Sequence, residues 1–221
     1  MEWEECRLNI IKMARDCGYK DQSPKVYRKR KNKRHNFLFW TCLHGDLRPL
    51  EEQEFLPYKF LFEQVRAKEK AEIIIEIGTN FGLSMYVMHC AKPDAKLYTI
   101  AYDSPLKDVR FRYITEKMLI NKDNVIYKKG LSQRQLYKLE TELGKESCDV
   151  IFVDGEHTDY GVLTDTFNSQ RLIKDDGLLI YHDYDRPDIR KACDYYYQAP
   201  LKEFSLKHDS TFAIAPVKRP Y

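Results

Sequence analysis

The chain has 221 residues, of which 43% are hydrophobic and 32% charged, a composition that suits one sizeable domain with an appendage and excludes a disordered chain. No apolar run approaches the ~20 residues needed to span a bilayer, so a membrane protein is not expected. Net charge is +3, and the six cysteines are scattered without a CxxC pair or zinc-ligand spacing, which reads as reduced thiols of a cytoplasmic protein.

The opening Met1-Glu2-Trp3-Glu4-Glu5-Cys6 is acidic where a secretory signal is basic and then continuously apolar, so export by that route is not expected. Residues 1–68 lack a regular rhythm and read as an N-terminal cap or extension. They hold a helix near the start, a basic tract, the aromatic patch Phe37-Leu38-Phe39-Trp40 and a helix over 53–67. The tract Lys25 to Arg34 carries seven basic residues and no acidic one, so the remainder of the chain is net acidic and the basicity is local. It reads either as a solvated loop or as a contact for an acidic substrate or nucleic acid.

From residue 69 onward the pattern changes. Short apolar runs alternate with amphipathic stretches, as in βα units around a parallel sheet. Strands are expected at 72–77, 97–102, 124–128, 149–154 and 178–182, and helices at 82–91, 107–121, 132–143 and 158–173. Lys174-Asp175-Asp176-Gly177 reads as a turn. Pro187, after Asp185-Arg186, suits the first turn of a further helix that stops before Pro200. Leu201–Leu206 and Thr211–Val217, around His208-Asp209-Ser210, read as a β-hairpin.

Glu76-Ile77-Gly78-Thr79-Asn80-Phe81-Gly82 follows the first apolar strand directly and precedes a helix. Glycine there lets backbone approach a ligand, so a nucleotide cofactor and a bland packing turn are both open. On the cofactor reading, a branched side chain at Gly78 blocks the ligand and leaves the fold intact. The G-x-x-x-G spacing disfavours NAD, whose fold wants G-x-G-x-x-G. Asp154-Gly155-Glu156-His157 ends the fourth strand and His182-Asp183 ends the fifth, on the rim where open α/β sheets bind ligands. Asp154, His182 and Asp183 are candidate ligands for a divalent cation such as Mg²⁺, whereas His89, inside a predicted helix, reads as structural.

Glu76-x-Gly78-x-x-x-Gly82-x-Ser84 resembles the cofactor loop of class I S-adenosylmethionine-dependent methyltransferases, particularly the catechol O-methyltransferase branch. The stretch Asp149 to Asp185 is similar to small O-methyltransferases that include the macrolide-sugar enzymes. The resemblance implies a Rossmann-like seven-stranded sheet over 69–221, helices on both faces and an antiparallel last strand. It implies S-adenosylmethionine as cofactor, held by Glu76, Gly78, Thr79, Gly82, Ser84 and Asp154, with Gly130, Ser132 and Gln133 bordering the adenine. The acid that usually ends the second strand aligns with Ala101, and Asp103 is the nearest substitute. His157, three residues after Asp154, stands where relatives put the group that deprotonates the acceptor hydroxyl, work an imidazole can do near neutral pH. A small-molecule or sugar acceptor is the leading expectation. Nucleic acid methylation through the basic tract, and a non-catalytic methyltransferase-like binder, are the alternatives.

Overall fold

A computed structural model describes residues 1–17, 55–103, 108–206 and 211–219. The basic tract, the aromatic patch and the His208-Asp209-Ser210 turn lie outside these residues. Helices α1 (Trp3–Asp16) and α2 (Leu56–Ala67) precede β1 (Ile73–Ile77), α3 (Leu83–Ala91), β2 (Lys96–Ala101) and the short α4 (Val109–Tyr113). Then come β3 (Val125–Lys129), α5 (Ser132–Leu143), β4 (Cys148–Val153), α6 (Asp159–Leu172), β5 (Ile173–His182), α7 (Pro187–Tyr197), β6 (Lys202–Ser205) and β7 (Thr211–Ala215).

The seven strands form one sheet in the order β3-β2-β1-β4-β5-β7-β6. Strands β1 to β5 pair in parallel, and β7 runs antiparallel to both β5 and β6. Both faces are covered, which is why the central strands read as mostly apolar runs and not as strict alternations. Ile74 and Phe152 face a core shared with Ile10 of α1, Leu61 of α2 and Met88 of α3. Ile75, Ile77 and Ile151 face the other, with Leu136 of α5, Val162 of α6 and Ile189 of α7. The order reverses between β1 and β4, so the loops leaving their carboxyl ends diverge and open a crevice.

Two local expectations are corrected. The helix expected over 107–121 is shorter, with the five-residue α4 continuing as a π-helix over Ile114–Met118 and ending there. Beyond it the backbone N–H groups of Ile120 and Asn121 donate to Nε2 of the buried His89, at 3.2 and 3.3 Å, instead of continuing a helix. The turn at Lys174–Gly177 belongs to β5, which starts at Ile173 and carries an irregularity opposite Cys148 and Val150. Asp149 fixes that end of the strand, because its carboxylate takes the Lys174 ammonium at 2.7 Å and the N–H groups of Glu72 and Ile73 at 2.9 Å. Among the described residues no helix is long and apolar enough to cross a membrane.

Candidate functional site

The loop after β1 is built from backbone that turns the wrong way for ordinary residues. Gly78 (φ 101°), Asn80 (φ 46°) and Gly82 (φ 88°) all have positive φ, a region side chains disfavour. Gly78 donates to the Ile100 carbonyl at 2.9 Å, and Asp154 donates to the Ile77 carbonyl at 2.8 Å, so the ends of β1, β2 and β4 are tied together. That closeness explains Gly78: a Cβ on it would sit 1.9 Å from the Asp154 carbonyl oxygen. The position is glycine because the protein's own backbone fills the space. A branched residue there therefore disturbs the fold itself, contrary to the sequence expectation.

Glu76 is wholly buried on β1 beneath this loop. Its carboxyl accepts from the Ser84 hydroxyl at 2.5 Å and from the Thr99 hydroxyl. Burial pushes its pKa up to about 7, against the pull of those donors. A carboxyl that ionises near 4.5 in the unfolded chain but near 7 in the fold disfavours folding progressively between those values. The loss on raising pH through that window is on the order of 3 kcal/mol. Stability should accordingly fall between about pH 5 and 7.5, and Glu76→Gln, a neutral stand-in, should flatten the slope. Chemical denaturation at several pH values checks this; identical slopes in the two proteins would refute the assignment.

A cleft of about 770 Å³ opens above the carboxyl ends of β1 to β4. Of the residues singled out from sequence, Gly78, Thr79, Asp103, Gly130, Ser132, Gln133, Asp154 and His157 line it. Glu76, Gly82, Ser84, His182 and Asp183 lie outside the lining, and Gly82 is pressed against Phe111, whose ring a Cβ would meet at 2.9 Å. Ala101 and Asp103 both face the cleft, and the Tyr127 hydroxyl donates to the Asp103 carbonyl at 2.8 Å. Sequence reasoning missed Tyr102, which also lines it and is 69% exposed despite its apolar surface; Leu131, inside the Gly130 to Gln133 segment expected at the adenine, lines it too and is 53% exposed. An aromatic residue just past a strand end was the available signal.

At one end of the cleft, β4 and β5 bring Asp154, His182 and Asp183 together, with a ligand atom from each lying within 4.8 Å of the others. His182 Nδ1 is 3.1 Å from Asp154 Oδ1 and 3.2 Å from Asp183 Oδ1. Burial, the largest single influence, would lift the Asp154 pKa, but the His182 charge and the hydrogen bonds from His157 and His182 together outweigh it and hold the carboxyl at about 2. Burial likewise disfavours the His182 cation, yet Asp154 and then Asp183 raise its pKa to about 9. Two carboxylates and an imidazole converging on one point fit a divalent cation. His157 stands beside them, its Nε2 3.5 Å from Asp154 Oδ1 and 3.7 Å from Asp183 Oδ2. Arg186, also missed from sequence, donates to His157 Nδ1 at 3.1 Å. Since arginine only donates, the ring hydrogen in this state is on Nε2.

Residues 75–184 match a family model described as a methyltransferase domain. Among solved structures, the chain is similar to an O-methyltransferase of Bacillus cereus in complex with SAH, at 19% identity and a TM-score of 0.60, covering 78% of this chain and 83% of that one. An O-methyltransferase of Streptomyces achromogenes involved in tomaymycin synthesis, in complex with SAM, is similar at 20% identity and a TM-score of 0.60, covering 73% and 79%. An SAH-bound methyltransferase of Podospora anserina is similar at 21% identity and a TM-score of 0.58, covering 74% and 78%. At these identities the likeness is one of fold. No curated protein matches the chain.

Proposed function

We propose that the chain, whose residues 75–184 match a methyltransferase-domain model, transfers the methyl group of S-adenosylmethionine to a hydroxyl oxygen of a small molecule or sugar. The observation that carries this reading is continuity. One cleft runs from Asp103 and Ser132 to Asp154 and His157, and Asp154 is also a member of the cluster with His182 and Asp183, so cleft and cluster adjoin there. A cofactor lying in it presents one end to a group able to hold and deprotonate an acceptor. The cofactors named for the Bacillus cereus and Streptomyces achromogenes structures support the choice of S-adenosylmethionine.

Gly78 and Thr79 border the methionine and ribose parts, and Asp103 stands in for the acid missing at Ala101. Ser132 and Gln133 border the adenine, with Tyr102 and Leu131 as apolar walls for the base. Glu76 acts from below by fixing Ser84 and Thr99. Asp154, His182 and Asp183 hold a divalent cation, for which Mg²⁺ is the expectation from sequence. Such an ion, when bound, supplies a site for the acceptor oxygen and lowers its pKa. His157 takes the hydroxyl proton on Nε2. That requires Arg186 to release Nδ1, so that the ring hydrogen can stand there instead. Aligning acceptor oxygen and methyl carbon provides much of the rate gain.

The test is methyl transfer by the purified chain to a panel of sugars, catechols and nucleic acids, followed as S-adenosylhomocysteine release. Release that needs a hydroxyl acceptor, stops in EDTA and returns with added cation is the expected result. Full transfer in EDTA would remove the cation from the proposal, and transfer confined to nucleic acid would remove the small-molecule acceptor.

A further inference from the structure

We infer that the cluster at the ends of β4 and β5 is built for a borderline divalent cation of the Co²⁺ or Zn²⁺ kind in preference to Mg²⁺. This deepens the methyl-transfer reading, on which it rests for taking the cluster as that reaction's cation site. The imidazole decides between the two kinds of ion. His182 Nδ1 lies between the two carboxylates, 3.1 Å from Asp154 Oδ1 and 3.2 Å from Asp183 Oδ1. An ion bound by both aspartates therefore meets this nitrogen.

Nor can the ring readily swing aside to leave an oxygen-only site. His182 is the last residue of β5 and pairs with Phe212 of β7. Its ring packs edge-on against Phe212 at 5.0 Å and Phe152 at 6.2 Å, and only 12% of the side chain is exposed. Asp183 is likewise held, in a left-handed conformation (φ 54°) with its carbonyl accepting from Arg186 N–H at 2.9 Å. Mg²⁺ is small and hard, asks for near-octahedral oxygen and gives up water reluctantly. Imidazole suits the softer first-row ions, while the two carboxylates serve either kind. A nitrogen pinned at the centre shifts the balance toward the former.

Calorimetric titration of the full chain with MnCl₂, CoCl₂ and MgCl₂ separately, joined to pulsed electron paramagnetic resonance of bound Mn²⁺, tests this without any acceptor. Co²⁺ should bind at least about tenfold tighter than Mg²⁺, and the signal of Mn²⁺, used as a probe of the ligands, should carry ¹⁴N modulation. His182→Asp should weaken Co²⁺ about tenfold or more, leave Mg²⁺ as tight or tighter, and abolish the modulation; His182→Asn serves if that variant does not fold. Mg²⁺ binding as tightly as Co²⁺, absence of ¹⁴N modulation, or an equal loss for every ion in the variant would overturn the inference. S-adenosylhomocysteine titrated in the same instrument separates the two levels. If it binds and no cation does, the inference fails and methyl transfer stands; if it does not bind, the methyl-transfer reading fails.

Discussion

Among the described glycines, Gly78→Ala should be the most damaging substitution, costing both stability and cofactor affinity. The added carbon would lie 1.9 Å from the Asp154 carbonyl oxygen and 2.5 Å from its carbon, both of them backbone. Relief therefore means moving the ends of β1 and β4 apart. Overpacking and the positive φ together cost roughly 2 to 5 kcal/mol, or a melting temperature lower by about 5 to 20 °C at this chain length. The movement also displaces Gly78 and Asp154, two residues of the cleft wall. Gly144→Ala is the control, because Gly144 has a positive φ but nothing within 4 Å of an added Cβ. It should cost about 1 kcal/mol and leave cofactor binding untouched. Thermal melts and calorimetry on the two variants check the pair; equal effects would mean that strain alone, and not the strand junction, makes Gly78 necessary.

Turnover should separate two roles at the other end of the cleft. Asp154→Asn removes a carboxylate from the cation cluster and the His182 partner, so transfer should collapse while the cofactor still binds on the β1 to β3 side. His157→Ala leaves Asp154, His182 and Asp183 intact. It should keep cation binding and lower turnover about 10²- to 10⁴-fold, with part of the loss recovered at high pH where the acceptor ionises unaided. Pre-steady-state transfer across pH, with cation binding measured alongside, distinguishes them. An unchanged pH profile in the His157 variant would remove it as the proton acceptor.

What the sequence made legible follows from how local each cause is. Ile73–Ile77 and Cys148–Val153 are buried on both faces, so apolar residues run consecutively on either side of a single acid in each, Glu76 and Asp149, and the strands stand out. The rim position of Gly78, Asp154 and Asp183 followed from strand ends alone. Other features depend on contacts between distant segments, to which periodicity is blind. His89 ends the helical stretch near Met118 from across 31 residues. Asp149 anchors the start of β5 through Lys174. Arg186 reaches His157 across 29 residues and so sets its tautomer. Asp165, wholly buried beneath Gly155 on α6, has its carboxyl pushed up to about 7 by burial, and nothing in its helical surroundings announced it. Gly78 is the instructive middle case: the glycine was visible, but its reason, the Asp154 carbonyl, was not.

Calorimetric titration of the intact chain with S-adenosylhomocysteine tests the central claim most directly, since it needs neither an acceptor nor a cation. Saturable binding of one molecule per chain is the predicted result. Asp103→Ala should weaken it by about 1 to 3 kcal/mol, the scale of a hydrogen bond to a charged group. No heat of binding up to high micromolar ligand, from a folded wild-type chain, would contradict the account and leave a methyltransferase fold used for something else.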